Sequence, residues 1–215
     1  MKASLALVST LLTLGCLRAA QAGRPLTVDD ANVNDPGAGH VEVWSARLGD
    51  KSRGWTVAPA YGLMDGVEVG AAFTRDTTNK TRQTAVQAKF RFTPSNKDGC
   101  NLGGVIGAAH ENGSSGNTPY LNGLFTCNGE WGSFHTNLGV LRPSGGPSLG
   151  TWGLAFEREL SDDVTLHIET FGQRHDKPTL QVGARTMLGK SVQLDGTIGR
   201  QNRSTVYSVG VKFLF

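Results

Sequence analysis

The feature that most constrains this chain is an alternation of apolar with small or polar residues at every second position. It is clearest in the last segment, where Tyr207, Val209, Val211, Phe213 and Phe215 alternate with residues that are mostly small or polar. Because successive side chains of a β-strand point to opposite faces of the sheet, this pattern predicts a strand with one apolar face. No comparable helical periodicity is present. The sequence therefore predicts an all-β fold.

The same alternation recurs along the chain and is interrupted by clusters of Gly, Asn, Asp, Ser and Pro, which favour turns. It predicts about twelve strands, near residues 39–48, 54–63, 66–75, 82–93, 101–110, 118–127, 131–142, 149–158, 163–173, 178–187, 191–199 and 204–215. Strands of about ten alternating residues, joined by short turns at one end and longer loops at the other, are typical of outer-membrane barrels.

Alternation alone does not say which face is inside, because a soluble β-sandwich shows the same pattern. Three features favour a barrel with a polar interior. Phe213 and Phe215 form an aromatic C-terminal strand end that resembles the assembly signal of bacterial outer-membrane barrels, and the even strand number allows a ring without edges. Aromatic residues also lie near strand ends, as membrane-interface girdles require: Trp55, Tyr61, Phe73, Phe92, Tyr120, Trp131 and Trp152. We predict a transmembrane, up-and-down antiparallel barrel over residues 39–215, with a soluble secreted sandwich as the alternative.

The beginning of the chain has the pattern of a secretory signal peptide. Lys2 precedes an apolar run over residues 3–14, and Ala20-Gln21-Ala22 matches a cleavage site. The run is too short to span a bilayer as a helix. Cys16 suggests lipidation, but Thr13 stands where a lipoprotein signal carries an aliphatic residue. We therefore predict a signal peptide over residues 1–22, a short periplasmic segment over residues 23–38, and export to the outer membrane of a Gram-negative bacterium.

The remaining cysteines, Cys100 and Cys127, form an even pair in a compartment where disulfides persist. Cys100 opens the fifth predicted strand and Cys127 closes the sixth, so antiparallel pairing brings them to the same rim. We predict a disulfide, with two free thiols as the alternative. The formal net charge of +3 gives no polybasic field for nucleic acid. The histidines are not clustered, so no metal or other cofactor is predicted.

The register of the predicted strands assigns side chains to two faces. Val69, Val86 and Leu154 belong to the apolar face, which we expect to contact lipid. The opposite face carries charged residues that we expect to line the lumen: Glu68, Lys89, Arg91, Glu157, His167, Glu169, Arg185, Asp195 and Lys212. These charges can close a narrow lumen with ion pairs or line a wet pore, and the face of Glu42 is left open.

An enzymatic role has little support in the sequence. Some outer-membrane barrels are lipid hydrolases that use Ser and His side chains on the lipid side. Here His135 and His167 fall on the inward face, and no Gly-x-Ser-x-Gly motif occurs. We therefore predict that the protein is not an enzyme.

Several segments resemble a known group of outer-membrane barrels. They are Arg24-Pro25-Leu26-Thr27-Val28-Asp29-Asp30-Ala31, the stretch from Tyr61 to Gly70, Gln181-Val182-Gly183-Ala184-Arg185, and Val192-Gln193-Leu194-Asp195-Gly196 with Gly199-Arg200. Together they resemble the family named for the MetA-pathway of phenol degradation, whose members are labelled as transporters.

This resemblance implies an outer-membrane location and a barrel architecture, with no catalytic set and no cofactor. We expect a passive channel or transporter for a small solute of unknown identity. The alternative is a closed-lumen structural or surface-interaction barrel that transports nothing. The expected partners are outer-membrane lipids, the barrel-assembly machinery and the solute, and nucleic acid is not among them.

Overall fold

The computed structural model describes residues 26–94 and 98–215. Twelve antiparallel strands follow one another around a closed barrel, and the last strand pairs with the first. The strands are β1 Gly39–Arg47, β2 Arg53–Met64, β3 Val67–Asp76, β4 Arg82–Arg91, β5 Gly99–Glu111, β6 Asn117–Gly129, β7 Gly132–Leu141, β8 Leu149–Ser161, β9 Val164–Gln173, β10 Thr179–Leu188, β11 Val192–Gln201 and β12 Ser204–Leu214. The predicted fold class is confirmed, and each strand lies where the alternation placed it.

The barrel closes through the pairing of β1 with β12, in which Glu42 lies opposite Lys212. The backbones of Gly39 and Phe215 exchange two hydrogen bonds, of 2.8 and 2.9 Å, at the end of this seam. A Cβ atom on Gly39 would lie 2.8 Å from the Phe215 ring, so a glycine is needed where the aromatic terminus packs. The first and last strands therefore leave no unpaired sheet edge at the seam.

The two rims of the barrel differ in their connections. We call the end where β1 begins and β12 ends the turn rim, and the opposite end the loop rim. At the turn rim β2–β3, β6–β7 and β8–β9 are joined by tight turns, of which Asp65-Gly66 is one. Gly66 has a positive φ of 73°, which glycine adopts at little cost. Longer connections, such as residues 142–148, lie at the loop rim.

The two faces of the wall follow the strand alternation. Large apolar side chains point outward and are exposed, as Leu138 illustrates with 67% exposure. The side chains between them point into the lumen, and most of those near its centre are buried. Val69, Val86 and Leu154 are exposed on the outer face, as the sequence predicted.

The predicted signal peptide, residues 1–22, lies outside the described residues, as do residues 23–25 at the start of the predicted periplasmic segment. No α-helix long and apolar enough to cross a bilayer occurs in the described ranges.

Candidate functional site

The lumen is occupied by the segment that precedes β1. Residues 26–34, which we call the lumen segment, run between the inward side chains of the wall. Val28, Asp29 and Ala31 are 0–1% exposed, which is the burial of a protein core. The sequence predicted a segment of residues 23–38 ahead of the barrel but gave no sign that it enters the lumen.

Glu169 on β9 binds the start of the lumen segment. Its carboxylate accepts the backbone N–H of Thr27 at 3.0 and 2.8 Å and that of Val28 at 2.8 Å. Gln181 on β10 donates to the same carboxylate at 2.7 Å and so orients it. Hydrogen bonds to an ionised acceptor are the stronger kind, and Glu169 is only 1% exposed.

Asn137 on β7 binds the next residue in both directions. Its Oδ1 accepts the backbone N–H of Asp29 at 2.7 Å, and its Nδ2 donates to the Asp29 carbonyl at 2.7 Å. The amide side chain thereby substitutes for a neighbouring β-strand, because it offers one acceptor and one donor to one residue.

Two further wall side chains accept backbone N–H groups along the lumen segment. Thr126 Oγ1 on β6 accepts from Ala31 at 2.9 Å, and Glu68 on β3 accepts from Asn34 at 2.9 Å. The Thr126 hydroxyl also lies 2.9 Å from Nδ1 of His135. The lumen segment is therefore bound through its backbone along most of its length.

A buried ion pair adds a contact to a side chain. Lys89 Nζ on β4 lies 2.7 Å from Asp29 Oδ1 and 3.6 Å from Asp30 Oδ1. Lys89 is 5% exposed and Asp29 is fully buried. Removing one partner of a buried pair leaves an uncompensated charge, so this contact holds Asp29 firmly in place.

Small residues in the wall make room for the lumen segment. A Cβ atom at Gly153 would lie 2.6 Å from Cγ2 of Val28, and one at Gly103 would lie 3.2 Å from the carbonyl oxygen of Ala31. Leu26 and Val28 pack with Ala155 and Phe171, while Ala31 packs with Val105 and Leu124. The wall is thus shaped around this segment.

Elsewhere the lumen is filled by side chains of the wall itself. Trp44 and Tyr120 pack against four buried alanines: Ala58, Ala72, Ala85 and Ala109. The Tyr120 hydroxyl donates to Oε1 of Gln87 at 3.0 Å. Tyr120 was expected among the aromatic residues of the membrane interface, but its position in β6 alternates with the exposed Leu121, so it points into the lumen. The inward position of Trp44 was missed in the sequence, although the alternation with Glu42 could have revealed it.

A cavity of about 150 Å³ remains beside the lumen segment, close to the turn rim. It is bordered by Asn34 and by charged groups that include Glu42, Glu68, Lys89 and Lys212. Lys212 Nζ lies 3.0 Å from Glu42 Oε1 across the seam. The cavity is therefore polar and connects the seam to the point where the chain enters the lumen.

The structure places the predicted lumen residues on the inner face. Glu68, Lys89, Glu157, His167, Glu169 and Asp195 are buried, whereas Arg91, Arg185 and Lys212 are partly exposed. They do not form one common cluster. Arg185 binds Glu157, whose carboxylate also faces His135 at 3.4 Å. Arg91 binds the exposed Asp65 at the turn rim at 2.7 Å.

The expected ion pairing changes in two places. Ion pairs of Glu68 and Glu169 with basic side chains of the wall were one of two expected arrangements, beside a wet pore. In the structure both carboxylates accept backbone N–H groups of the lumen segment. Lys89 pairs with acids of that segment instead of an acid of the wall. The reason is that the lumen segment brings its own donors and carboxylates between the strands.

Cys100 and Cys127 are register partners on β5 and β6 near the turn rim, with Cα atoms 4.0 Å apart. Both alternate with inward residues and so belong to the outer face. Within the described ranges, no group of three His, Cys, Asp or Glu side chains is placed to hold a metal ion.

A family model described as "Uncharacterised conserved protein UCP029691" matches residues 10–208. The chain belongs to this family. No curated protein matches the sequence. The MetA-pathway family suggested by the sequence motifs is thus not confirmed, and what the comparisons support is a porin-like barrel.

Solved structures of similar fold are outer-membrane barrels. A KdgM porin in complex with disordered oligogalacturonate has a TM-score of 0.67 at 13% identity, with 83% of this chain and 99% of that chain covered. The NanC porin has a TM-score of 0.64 at 11% identity, with 80% of this chain and 98% of that chain covered. The COG4313 outer membrane channel from Pseudomonas putida F1 has a TM-score of 0.60 at 11% identity, with 86% of this chain and 98% of that chain covered. These proteins are described as porins and as a channel, and at 11–13% identity their likeness to this chain is one of fold.

Proposed function

We propose that this protein is an outer-membrane channel for small solutes, and that the lumen segment holds it closed. The observation that carries the proposal is the way residues 26–34 are bound. The segment leads into β1, and four wall side chains hold its backbone through hydrogen bonds. Such contacts can be broken without unpairing any strand of the barrel.

The fold supports a channel, because a barrel of twelve strands has a lumen wider than the side-chain-filled interior of eight strands. The chain fills this extra space with the lumen segment, and it lines the space with polar and charged side chains. A wall that carries Glu68, Lys89, Glu157, Glu169 and Asp195 would hold water once the segment had left. Passage of solute therefore depends on displacement of residues 26–34.

The competing function is a closed structural barrel that transports nothing. Trp44 and Tyr120, packed on the buried alanines, favour it because they narrow the lumen independently of the segment. The two functions differ in one measurable respect. A channel conducts when the lumen segment is loosened, whereas a structural barrel stays silent.

Planar-bilayer conductance and liposome swelling test this difference. We expect low activity for the unmodified protein and higher activity for Glu169→Gln, which weakens the binding of Thr27 and Val28. Glu159→Gln is the matched control, since Glu159 is an exposed carboxylate on β8. A Glu169→Gln protein that is folded, inserts into membranes and conducts nothing would favour the structural barrel.

The proposal includes the cellular route of the protein. We propose that residues 1–22 are removed after Ala22, that the barrel-assembly machinery inserts the barrel among outer-membrane lipids, and that the turn rim faces the periplasm. The signal-like pattern over residues 1–22 and the tight turns at this rim support the assignment. We also propose that Cys100 and Cys127 are joined as a disulfide in the exported protein, because the structure holds them as direct cross-strand partners.

A further inference from the structure

We propose that the lumen is a binding site for short peptides that carry an acidic side chain, and that residues 26–34 occupy this site as an internal ligand. This inference rests on the proposed function in one respect, since an outside peptide can enter only after the lumen segment leaves. It names the class of solute that the wall recognises.

The side chains of the wall bind a peptide backbone. Glu169, Asn137, Thr126 and Glu68 lie on four different strands, and each accepts at least one backbone N–H of the lumen segment. Asn137 also donates to a backbone carbonyl. A peptide backbone offers such a row of N–H donors together with a carbonyl acceptor. Since the contacts use backbone atoms, another peptide could make them with different side chains.

The wall also favours particular side chains on the bound peptide. Lys89 lies 2.7 Å from the carboxylate of Asp29 and within 3.6 Å of that of Asp30, so an acidic side chain is favoured at these positions. One residue earlier, the recess at Gly153 admits a side chain of the size of Val28. The wall therefore selects an apolar residue followed by an acidic one.

The site does not depend on any one side chain of the lumen segment. Gln181 donates to Glu169, and His135 lies at hydrogen-bond distance from Thr126, so wall residues orient these acceptors. A neutral sugar would provide no carboxylate for Lys89 and no row of N–H groups for the acceptors. The chemistry of the wall favours peptides over such solutes.

The test uses the full-length protein with its own segment loosened and its wall intact. The double variant Val28→Gly with Asp29→Asn removes the packing at Gly153 and the charge at Lys89, and Asp29→Asn alone is the milder variant. The probe is a fluorescent peptide that copies residues 26–34, and binding is measured in detergent by anisotropy. We expect binding to the loosened protein, and at least about tenfold weaker binding to the unmodified protein, whose site is occupied.

Three matched probes test the recognition itself. One peptide is methylated on the nitrogen corresponding to Val28, and one carries lysine at the position of Asp29. Each should bind at least about tenfold more weakly, because a charge-assisted hydrogen bond or an ion pair is lost. A neutral oligosaccharide of similar length should not compete. In the loosened background Asn137→Ala should abolish peptide binding while the barrel keeps its heat-modifiable migration.

Peptide binding and conductance are measured separately, so the peptide site and the channel can fail independently. Peptide binding without conductance would support the peptide site and overturn the channel. Conductance without peptide binding would support the channel and overturn the peptide site. Equal binding of the methylated and unmodified peptides, or binding that is unaffected by Asn137→Ala, would overturn the peptide site. Failure of the peptide to bind a folded protein whose own segment exchanges freely would overturn it as well.

Discussion

Replacement of Glu169 by glutamine should release the start of the lumen segment with almost no change of shape. The carboxylate accepts N–H groups from Thr27 and Val28 at 2.8 to 3.0 Å and is itself buried. Glutamine keeps one acceptor oxygen, but its amide nitrogen is a donor and must face other donors. The third group that faces residue 169 is the amide nitrogen of Gln181, which is also a donor.

The magnitude follows from the charge of the acceptor. Hydrogen bonds to ionised groups contribute about 1.5–3 kcal/mol and those between neutral groups about 0.5–1.5 kcal/mol, so the two N–H donors lose about 1 kcal/mol each. A donor left without an acceptor adds a cost of about 1–3 kcal/mol. We expect docking to weaken by about 3–5 kcal/mol, which raises the undocked population by about 150-fold to 4,000-fold.

Hydrogen exchange followed by mass spectrometry measures this population, because the buried amides of residues 27–31 exchange only when the segment opens. We expect their exchange to accelerate by that factor in Glu169→Gln while the strand amides remain unchanged. Glu159→Gln, which alters an exposed carboxylate of the same wall region, should match the unmodified protein. Unchanged exchange of residues 27–31 in a folded Glu169→Gln protein would refute the argument that this carboxylate holds the segment.

The remaining predictions concern the ion pair, the terminus and the cysteines. Lys89→Met should free the lumen segment by leaving its buried carboxylate uncompensated, at a cost of about 3–5 kcal/mol, whereas Arg91→Met at the rim should not change segment exchange. Phe215→Asp should prevent assembly of the barrel, so the variant should lose heat-modifiable migration in detergent gels. Normal membrane insertion of this variant would contradict the prediction. Alkylation followed by mass spectrometry should find Cys100 and Cys127 joined, and reduction should lower stability by about 3–4 kcal/mol in the chain-entropy model. Two free thiols in the native protein would rule this out.

The barrel could be predicted because the sequence pattern that specifies each strand is local. Side chains alternate between two faces along each strand, so each strand and the face of each residue can be assigned from a few neighbouring positions. Glu157 and Arg185 illustrate this, since both were assigned to the inner face and they form an ion pair there. The cross-strand position of Cys100 and Cys127 followed from the antiparallel order alone.

The contents of the lumen were not predictable from such patterns. Thr27, Val28 and Ala31 are bound mainly through backbone N–H groups, which every non-proline residue carries, so the sequence contains no mark of these contacts. The ion pair of Asp29 with Lys89 joins residues that are far apart in the chain. Gly103 and Gly153, which lie against the lumen segment, also fit an ordinary barrel wall and so do not reveal it.

The most direct test of the closed channel is a reversible tether between the lumen segment and the wall. A Cβ atom at Gly153 would lie 3.5 Å from the Cβ of Val28, within the usual separation for a disulfide of about 3.5–4.5 Å. Val28→Cys with Gly153→Cys can therefore be joined by oxidation.

The conductance of this double variant, in a Glu169→Gln background, is measured in planar bilayers before and after reduction. The Glu169→Gln protein without the new cysteines is treated identically as the control for the native cysteine pair. We predict silence in the oxidised state and conductance after reduction, with no such change in the control. Equal conductance in both states, despite a tether verified by mass spectrometry, would contradict the claim that residues 26–34 close the lumen.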